Sequence, residues 1–446
     1  MSVSTEYINV IGAGLAGCEA AWLLSRLKVN VHLYEMKPVK MSPAHKSSDF
    51  GELVCSNSLK AINIDNATGL IKEELRRLSS LIIEAADACS VPAGGALAVD
   101  RDDFSKYITD KIKSSPYITV FNEVVDKVPD DAVTIIATGP LTDGELFSDI
   151  TRIAGVDDLH FFDAAAPIVM LDSIDMTKAF FASRYGKGGD DYINCPMNKE
   201  EYLNFYNELI NAELADVKGF DKDISFEGCM PIETMAKRGE DTMRFGPLKP
   251  VGLIDPRTGK EPYACLQLRQ DNKAKTMFNL VGFQTRLKFG EQKRVFGLIP
   301  GLENAEYYRY GVMHRNTYLC SPEVLTSRYN LKSDPNVFFA GQITGVEGYN
   351  ASTGAGFLAA YYAYMQFKNI EPEIVFDNET MLGSMAEYVA TASPKDFAPM
   401  NPNFGIIKSV EGKFRRKDRK EKYMAIAMRS LDKIDSIAAY INSLAD

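Results

Sequence analysis

The residues whose spacing most plainly encodes chemistry lie near the N-terminus. Gly12, Gly14 and Gly17 form a G-x-G-x-x-G element, and Glu35 follows about 20 residues beyond it. Such a turn binds the pyrophosphate of a dinucleotide. The first glycine permits the tight turn, Gly14 lets phosphate approach the backbone, and Gly17 lets the next helix pack closely on the strand. Ala13, Leu15 and Ala16 complete the turn and open a helix whose N–H groups and positive dipole end face the phosphates. Glu35 stands where an acceptor for a ribose 2′-hydroxyl belongs, and its charge would repel a 2′-phosphate. Lys37 places a cation on the adenosine or phosphate side. Sulfur is the second source of chemistry: Cys18, Cys55, Cys89, Cys195, Cys229, Cys265 and Cys320 are widely spread, with no C-x-x-C pair. That pattern fits a reducing cytoplasmic compartment better than a disulfide framework. With four histidines and no close Cys/His cluster, no metal site is expected.

These groups need elements to hold them. The apolar run Ile8, Val10, Ile11 predicts a buried strand, Leu15 to Leu27 a helix, and Val29 to Tyr34 a second strand ending at Glu35. Strand, glycines, Ala-rich helix, strand and terminal carboxylate in one unit are far more specific than the glycines alone. Cys55, Ser56, Asn57 and Ser58 form a donor-rich segment of helix or loop, with Asn57 a candidate cofactor contact. Residues 69–89 read as one amphipathic helix with Glu73 and Glu74 outward. Val133 to Ala137 is a buried strand ending in Thr138-Gly139. Residues from about 150 to 305 change texture, mixing strands, short helices and turns, and predict a second domain.

The nucleotide-domain pattern resumes at 336–356. A strand over Val337 to Ala340 ends at Gly341, and a small-residue helix follows Gly348 and Tyr349. In FAD proteins of the glutathione-reductase type a second motif of this kind sets a strand end and a helix N-terminus against the ribityl chain and flavin. Gln342 replaces the usual Asp there, keeping hydrogen bonding without charge. Gly341, Gln342, Gly348 and Tyr349 are therefore candidate cofactor contacts. No second complete dinucleotide unit is found, so NADH or NADPH would visit without a dedicated Rossmann domain. The expected fold is α/β: a Rossmann-like FAD-binding domain of glutathione-reductase type (1–150 and 306–446) with an inserted smaller α+β domain (151–305).

The chain has 446 residues and a net charge of −10, which argues against indiscriminate binding of nucleic acid or anionic membrane. No apolar run is long enough to span a membrane, and no signal peptide is read at the N-terminus. Against that acidic background, 413–422 carries seven cations, including Arg415, Arg416 and Lys417, and two anions. Such a run suits contact with an RNA backbone. The helix after it is predicted to bury Met424, Met428, Leu431, Ile434, Ala438 and Ile441 on one face.

Several stretches together resemble one family, the folate- and FAD-dependent tRNA (uracil-5-)-methyltransferases (TrmFO, formerly Gid). They include Val10 to Gly17, Leu33-Tyr-Glu-Met-Lys-Pro38, Glu52 to Leu59, Val91 to Arg101 and Ile136 to Leu141. In the second half they include Phe226 to Glu233, Met235 to Gly239, Tyr310 to Thr317 and Ala340 to Tyr349. The resemblance implies formation of 5-methyluridine in the tRNA T-loop. It implies 5,10-methylenetetrahydrofolate as carbon donor and FAD, re-reduced by NADH or NADPH, as reductant. Uracil C5 is a weak nucleophile; a thiolate adding at C6 makes it enolate-like, and a base must later remove the C5 proton. The family motifs offer Cys229 as that nucleophile and Cys55 as its acid/base partner, with the order open to exchange. Lys237, Arg238 or Arg269 could favour a thiolate, and His314 is implied at the folate pterin. A related branch acting on 23S rRNA departs at one of the two family cysteines, and both stand here. A flavin-dependent thiol/disulfide oxidoreductase and a non-catalytic RNA-binding flavoprotein are the other readings. Oligomeric state is not legible.

Overall fold

The computed structural model describes residues 6–155, 158–186, 189–216, 230–412, 414–415 and 418–445, with backbone alone at 158–163, 314 and 315. Cys229, Arg416 and Lys417 lie outside the described residues.

Strand Tyr7–Ile11 is the centre of a five-stranded parallel sheet. Its neighbours are Asn30–Glu35 and Thr134–Ile136, and Ile118–Asn122 and Val337–Phe339 lie outside them. Ile8, Val10, Ile11, Val31, Leu33, Ile135 and Ile136 of the inner strands are buried in the core, while Tyr7, His32 and Tyr34 stay half-exposed and His32 stacks on Tyr7. Val337–Phe339 joins the sheet from far along the chain, so the first and last thirds share one core. Helix Leu15–Arg26 lies against helix Tyr349–Lys368 at very short range. A Cβ added at Gly356 would sit 2.2 Å from the Ala16 carbonyl oxygen, and one at Gly17 1.8 Å from that of Gly12. Only glycine allows either approach.

A six-stranded antiparallel sheet forms the second layer and has its own core. Its order is Phe180–Phe181, Tyr192–Met197, Ala264–Gln270, Met277–Leu280, Ile168–Met170, Tyr307–Arg309. Strands Asp158–Ala164 and Met313–Leu319 pair antiparallel and carry the chain out to this sheet and back. A three-stranded sheet of Ser58–Ala61, Ala96–Val99 and Ser90–Val91 completes the architecture.

Three local expectations are corrected. Residues 69–89 form two helices, Ala67–Arg77 and Leu81–Ala88, because Ser79 takes φ +60° and Ser80 caps the second helix through Ile83 N–H. Glu74 points inward and is fully buried. Its carboxylate accepts from Met381 and Leu382 N–H at 2.7 and 2.9 Å, at the start of helix Met381–Thr391, and from Ser430 Oγ. A carboxylate at a helix N-terminus is favourable, but burial dominates and pushes Glu74 up to about 7. In the C-terminal helix Arg419–Ser443, Leu431, Ile434 and Ile441 are inside as expected, but the first turns differ: Ile426, Ala427 and Ser430 are inside, while Met424 and Met428 are exposed. Ser430 turns inward to reach Glu74, and Arg77 meets Asp435 at 2.6 Å.

Candidate functional site

The glycine turn is the first wall of the site. Strand Tyr7–Ile11 ends at Gly12, whose φ of +100° turns the chain, and the helix starts at Leu15. Its first intrahelical bond is Cys18 N–H to the Gly14 carbonyl, so the earlier N–H groups lack helical partners. A Cβ added at Gly14 would meet nothing within 4 Å. Backbone donors, a helix N-terminus and an open approach together suit a pyrophosphate.

Glu35 closes the turn from the second strand. It is buried; one oxygen accepts Ala13 N–H at 2.8 Å and the other Lys37 N–H at 3.0 Å. Each oxygen keeps a lone pair for a hydroxyl donor. Lys37 also lines the cleft. Its side chain is buried and its ammonium donates to the carbonyls of Ser47 and Asp49, so its charge anchors the following loop. That loop meets the opposite lip through Lys40 and Asp143, 3.0 Å apart and both well exposed.

Between these lips runs a cleft of about 470 Å³. The turn from Gly12 to Ala16, Glu35, and the Thr138–Gly139 turn line one end. Gly341, Gln342, Gly348 and Tyr349 line the middle, where Gln342 donates to Glu347 at 2.6 Å. Cys55, Ser56, Arg269, Asn279 and Asn316 line the far end, so the second sheet supplies part of the wall. The donors and open glycine at one end, and the length of cleft beyond, fit a dinucleotide bearing a large ring system. Among the described residues no cluster could hold a metal ion.

Cys55 sits at that far end under close control. Tyr349 Oη accepts N–H bonds from Cys55 at 3.0 Å and Ser56 at 3.2 Å, and lies 3.3 Å from Cys55 Sγ. With both lone pairs taken, the phenol proton points to sulfur and would stabilise a thiolate. Burial raises Tyr349 well above the usual tyrosine range, so the phenol keeps that proton. Arg101 donates to the carbonyls of Leu53 at 2.6 Å and Cys55 at 3.2 Å, and its Nε binds Asp271 at 3.0 Å. One guanidinium thus ties the cysteine segment to the second sheet. Nothing in the residues around Arg101 in sequence signals this task, because its partners lie in other segments.

Asn57 is a correction. It is fully buried behind the cleft, donates to the carbonyls of Val99 and Gln270, and accepts from Arg269 Nε at 3.0 Å. Its amide is committed to joining the two sheets and does not line the cleft. Arg269 also donates to Ser56 Oγ at 2.7 Å, which puts its charge beside the cysteine segment. Lys237 and Arg238 are exposed at the end of helix Ile232–Ala236.

His314 lies on strand Met313–Leu319 opposite Asp163; its side chain is outside the described residues. Of the basic run, Arg415 is exposed near Asp418, and Lys420 Nζ pairs with Asp65 at 3.3 Å. Lys60 donates to Asn401 at 2.7 Å, and both line the cleft. Cys18, Cys89, Cys195, Cys265 and Cys320 are buried, and burial raises each thiol, Cys265 to about 12. No described helix is long and apolar enough to cross a membrane.

Comparison with known proteins fits this geometry. The family described as Glucose inhibited division protein A matches residues 7–371. The chain is 60% identical to methylenetetrahydrofolate–tRNA-(uracil-5-)-methyltransferase TrmFO of Acetivibrio thermocellus, over 96% of this chain and 97% of that protein. It is 56% identical to TrmFO of Lactobacillus acidophilus, over 97% and 98%, and 58% identical to that of Listeria innocua, over the same shares. A solved GidA of Aquifex aeolicus superposes with a TM-score of 0.67 at 15% identity, covering 99% of this chain and 74% of that one. The chain belongs to the Glucose inhibited division protein A family, in its TrmFO branch.

Proposed function

We propose that this protein is a methyltransferase that forms 5-methyluridine in the T-loop of tRNA, with 5,10-methylenetetrahydrofolate as carbon donor and bound FAD as reductant. The observation that carries the reading is one cleft running from a dinucleotide turn at Gly12–Gly17 to a tightly held cysteine, Cys55. The high identity to proteins named for this activity supports the same choice.

Gly12 to Ala16, Glu35, Gly341, Gln342 and Gly348 would hold the FAD, with Gly17 packed behind the turn. When bound and reduced, the flavin supplies the hydride that turns a transferred methylene into methyl. The rest of the chemistry belongs to the chain. Cys229 adds to uracil C6, which makes C5 nucleophilic. C5 then bonds the folate methylene. Cys55 takes the C5 proton as the methylene–nitrogen bond breaks and tetrahydrofolate leaves. Once the methylene is reduced, the C6–sulfur bond breaks and frees the Cys229 thiolate. Tyr349 and Arg101 hold Cys55 for the proton transfer. His314 packs on the pterin, and Arg415, Arg416 and Lys417 meet the RNA backbone. NADH or NADPH re-reduces the flavin, in the cytoplasm.

Purified protein, FAD, methylenetetrahydrofolate and NADH or NADPH should convert one uridine of unmodified tRNA transcripts. Mapping the modified base reads the outcome. Turnover confined to ribosomal RNA transcripts would move the target, and none on either RNA would refute the reading.

A further inference from the structure

The edge strand of the second sheet leaves one aromatic ring outside. Tyr307 pairs with Val169 and Arg309 with Ile168, so Tyr308 is the extra residue of a β-bulge. Bulges re-aim a side chain, often beside active sites. Tyr307 stacks on Tyr310 at 4.8 Å, whereas Tyr308 is 55% exposed. Lys46 Nζ approaches that exposed ring, 6.0 Å from its centroid. The Lys46 N–H is held by Glu52, which lines the cleft, at 3.0 and 3.2 Å. Tyrosine and lysine therefore stand on the lip at the cysteine end, and the exposed ammonium makes no ion pair among the described residues.

Arg309 adds a second cation. It is half-buried, yet its guanidinium makes no hydrogen bond or ion pair to any described residue, and none of its nitrogens is sealed from solvent. Burial first, then the charge of Arg101, holds it below the usual arginine range. Tyr349, Cys55 and Glu52 are the other groups it senses, which sets it at the same end. Arg101 is matched by Asp271, but Arg269 bonds only the neutral Ser56 and Asn57. A partly desolvated cation beside other cations calls for an anion, and Arg309 keeps an open approach for one.

We infer that Lys46, Tyr308 and Arg309 form a nucleotide subsite: one base stacks on Tyr308, and its phosphate lies between Lys46 and Arg309. Open aromatic faces interleaved with unmatched cations are the means by which single-stranded nucleic acid is held. The inference rests on the proposed function and narrows it. The target uracil reaches Cys55 only if the strand on one side of it crosses this lip, so the subsite takes the neighbouring nucleotide. The exposed ring favours a nucleotide over a small anion, which needs no stacking face. The bulge that turns Tyr308 outward contains no glycine to announce it in the sequence.

The test uses the full-length, FAD-loaded protein and its Tyr308→Ala, Lys46→Ala and Arg309→Gln variants. Tyr308 and Lys46 are exposed, so their removal should leave Tm and flavin retention unchanged. Anisotropy with T-arm RNA hairpins reads affinity, and a salt titration reads the phosphate contact. Tyr308→Ala should weaken the hairpin about tenfold. Lys46→Ala and Arg309→Gln should each lower the salt slope by about one. A hairpin made abasic at the nucleotide on one side of the target should bind wild-type protein and Tyr308→Ala alike. Wild-type affinity and slope in both Tyr308→Ala and Lys46→Ala would overturn the inference while leaving the proposed function standing. So would normal hairpin binding with a raised KM for methylenetetrahydrofolate, which would give the lip to the folate tail. Wild-type protein that binds no hairpin would refute both.

Discussion

The two ends of the cleft grip by different means. At the glycine end the contacts are backbone: N–H groups at a helix N-terminus, a space left by the missing Cβ of Gly14, and one carboxylate, Glu35. At the cysteine end they are side chains from distant segments: Tyr349, Arg101, Asp271 and Arg269. A backbone grip is fixed as soon as the parallel sheet forms. A side-chain grip exists only once the three-stranded and six-stranded sheets have met, because Asn57 joins Val99 to Gln270 and Arg101 joins the Cys55 segment to Asp271. Binding of the nucleotide and control of the thiol should therefore be separable by mutation.

Substitution of the proposed chemical groups tests that separation most severely. Cys55→Ala and Cys229→Ala should each lower methylation below detection while flavin absorbance stays at wild-type level; loss of flavin with either would merge the two ends. Next come the two glycines, which fail differently. Gly17→Ala forces a Cβ to within 1.8 Å of the Gly12 carbonyl and should abolish folding or sharply lower Tm. Gly14→Val meets no atom at its first carbon, so the protein should fold with near-normal Tm and lose flavin affinity about a hundredfold. Equal thermal damage in both would deny Gly14 its phosphate-facing role.

Arg101→Ala addresses the other grip. It leaves Asp271, 1% exposed, buried without its cation, which costs about 3–5 kcal/mol. Urea unfolding should show that loss, and Arg101→Ala/Asp271→Asn should recover part of it. In the double variant kcat should stay low, because the Cys55 carbonyl still lacks its donor; wild-type kcat would make Arg101 purely structural.

Proton linkage gives a smaller effect. Glu74 is raised to about 7 in the folded protein from an unfolded value near 4.5. The folded state binds the extra proton, so this contribution is complete below pH ~4.5 and is lost as pH rises through ~7, about 3 kcal/mol in all. Glu19, also raised to about 7 by burial, acts in the same direction. Glu74→Gln should flatten, without abolishing, the fall in urea midpoint between pH 5 and 7. An unchanged slope would remove Glu74 as its source. Smallest of all, neutralising Arg415, Arg416 and Lys417 should reduce the salt slope of tRNA binding by roughly one unit for each phosphate these side chains would otherwise neutralise.

The glycine end was legible because its geometry depends on residue type at fixed spacing: Gly12 takes φ +100°, Gly17 leaves no room for a Cβ, and Glu35 accepts the Ala13 N–H. The second strand–helix motif was legible for the same reason, and Gly341, Gln342, Gly348 and Tyr349 do line the cleft. Sequence could not say where a side chain points when its partners come from other segments. Lys37 and Asn57 sit in the right neighbourhood, yet both turn to backbone carbonyls. Glu74 has the polarity of a solvent face, but helix Met381–Thr391 arrives from far along the chain and takes it. Met424 and Met428 matched the helical period while the burying stripe ran through Ile426 and Ser430.

The exposed Lys40–Asp143 pair has a consequence for cofactor traffic. It joins the lips over the glycine end, where the adenosine would lie, with a contact that water and salt can dissolve, worth at most about 1 kcal/mol. The opposite end is bolted by Arg101 and Asp271 away from solvent. A departing dinucleotide should peel from its adenosine side first, and raising ionic strength should hasten its exchange without disturbing the ring-binding end.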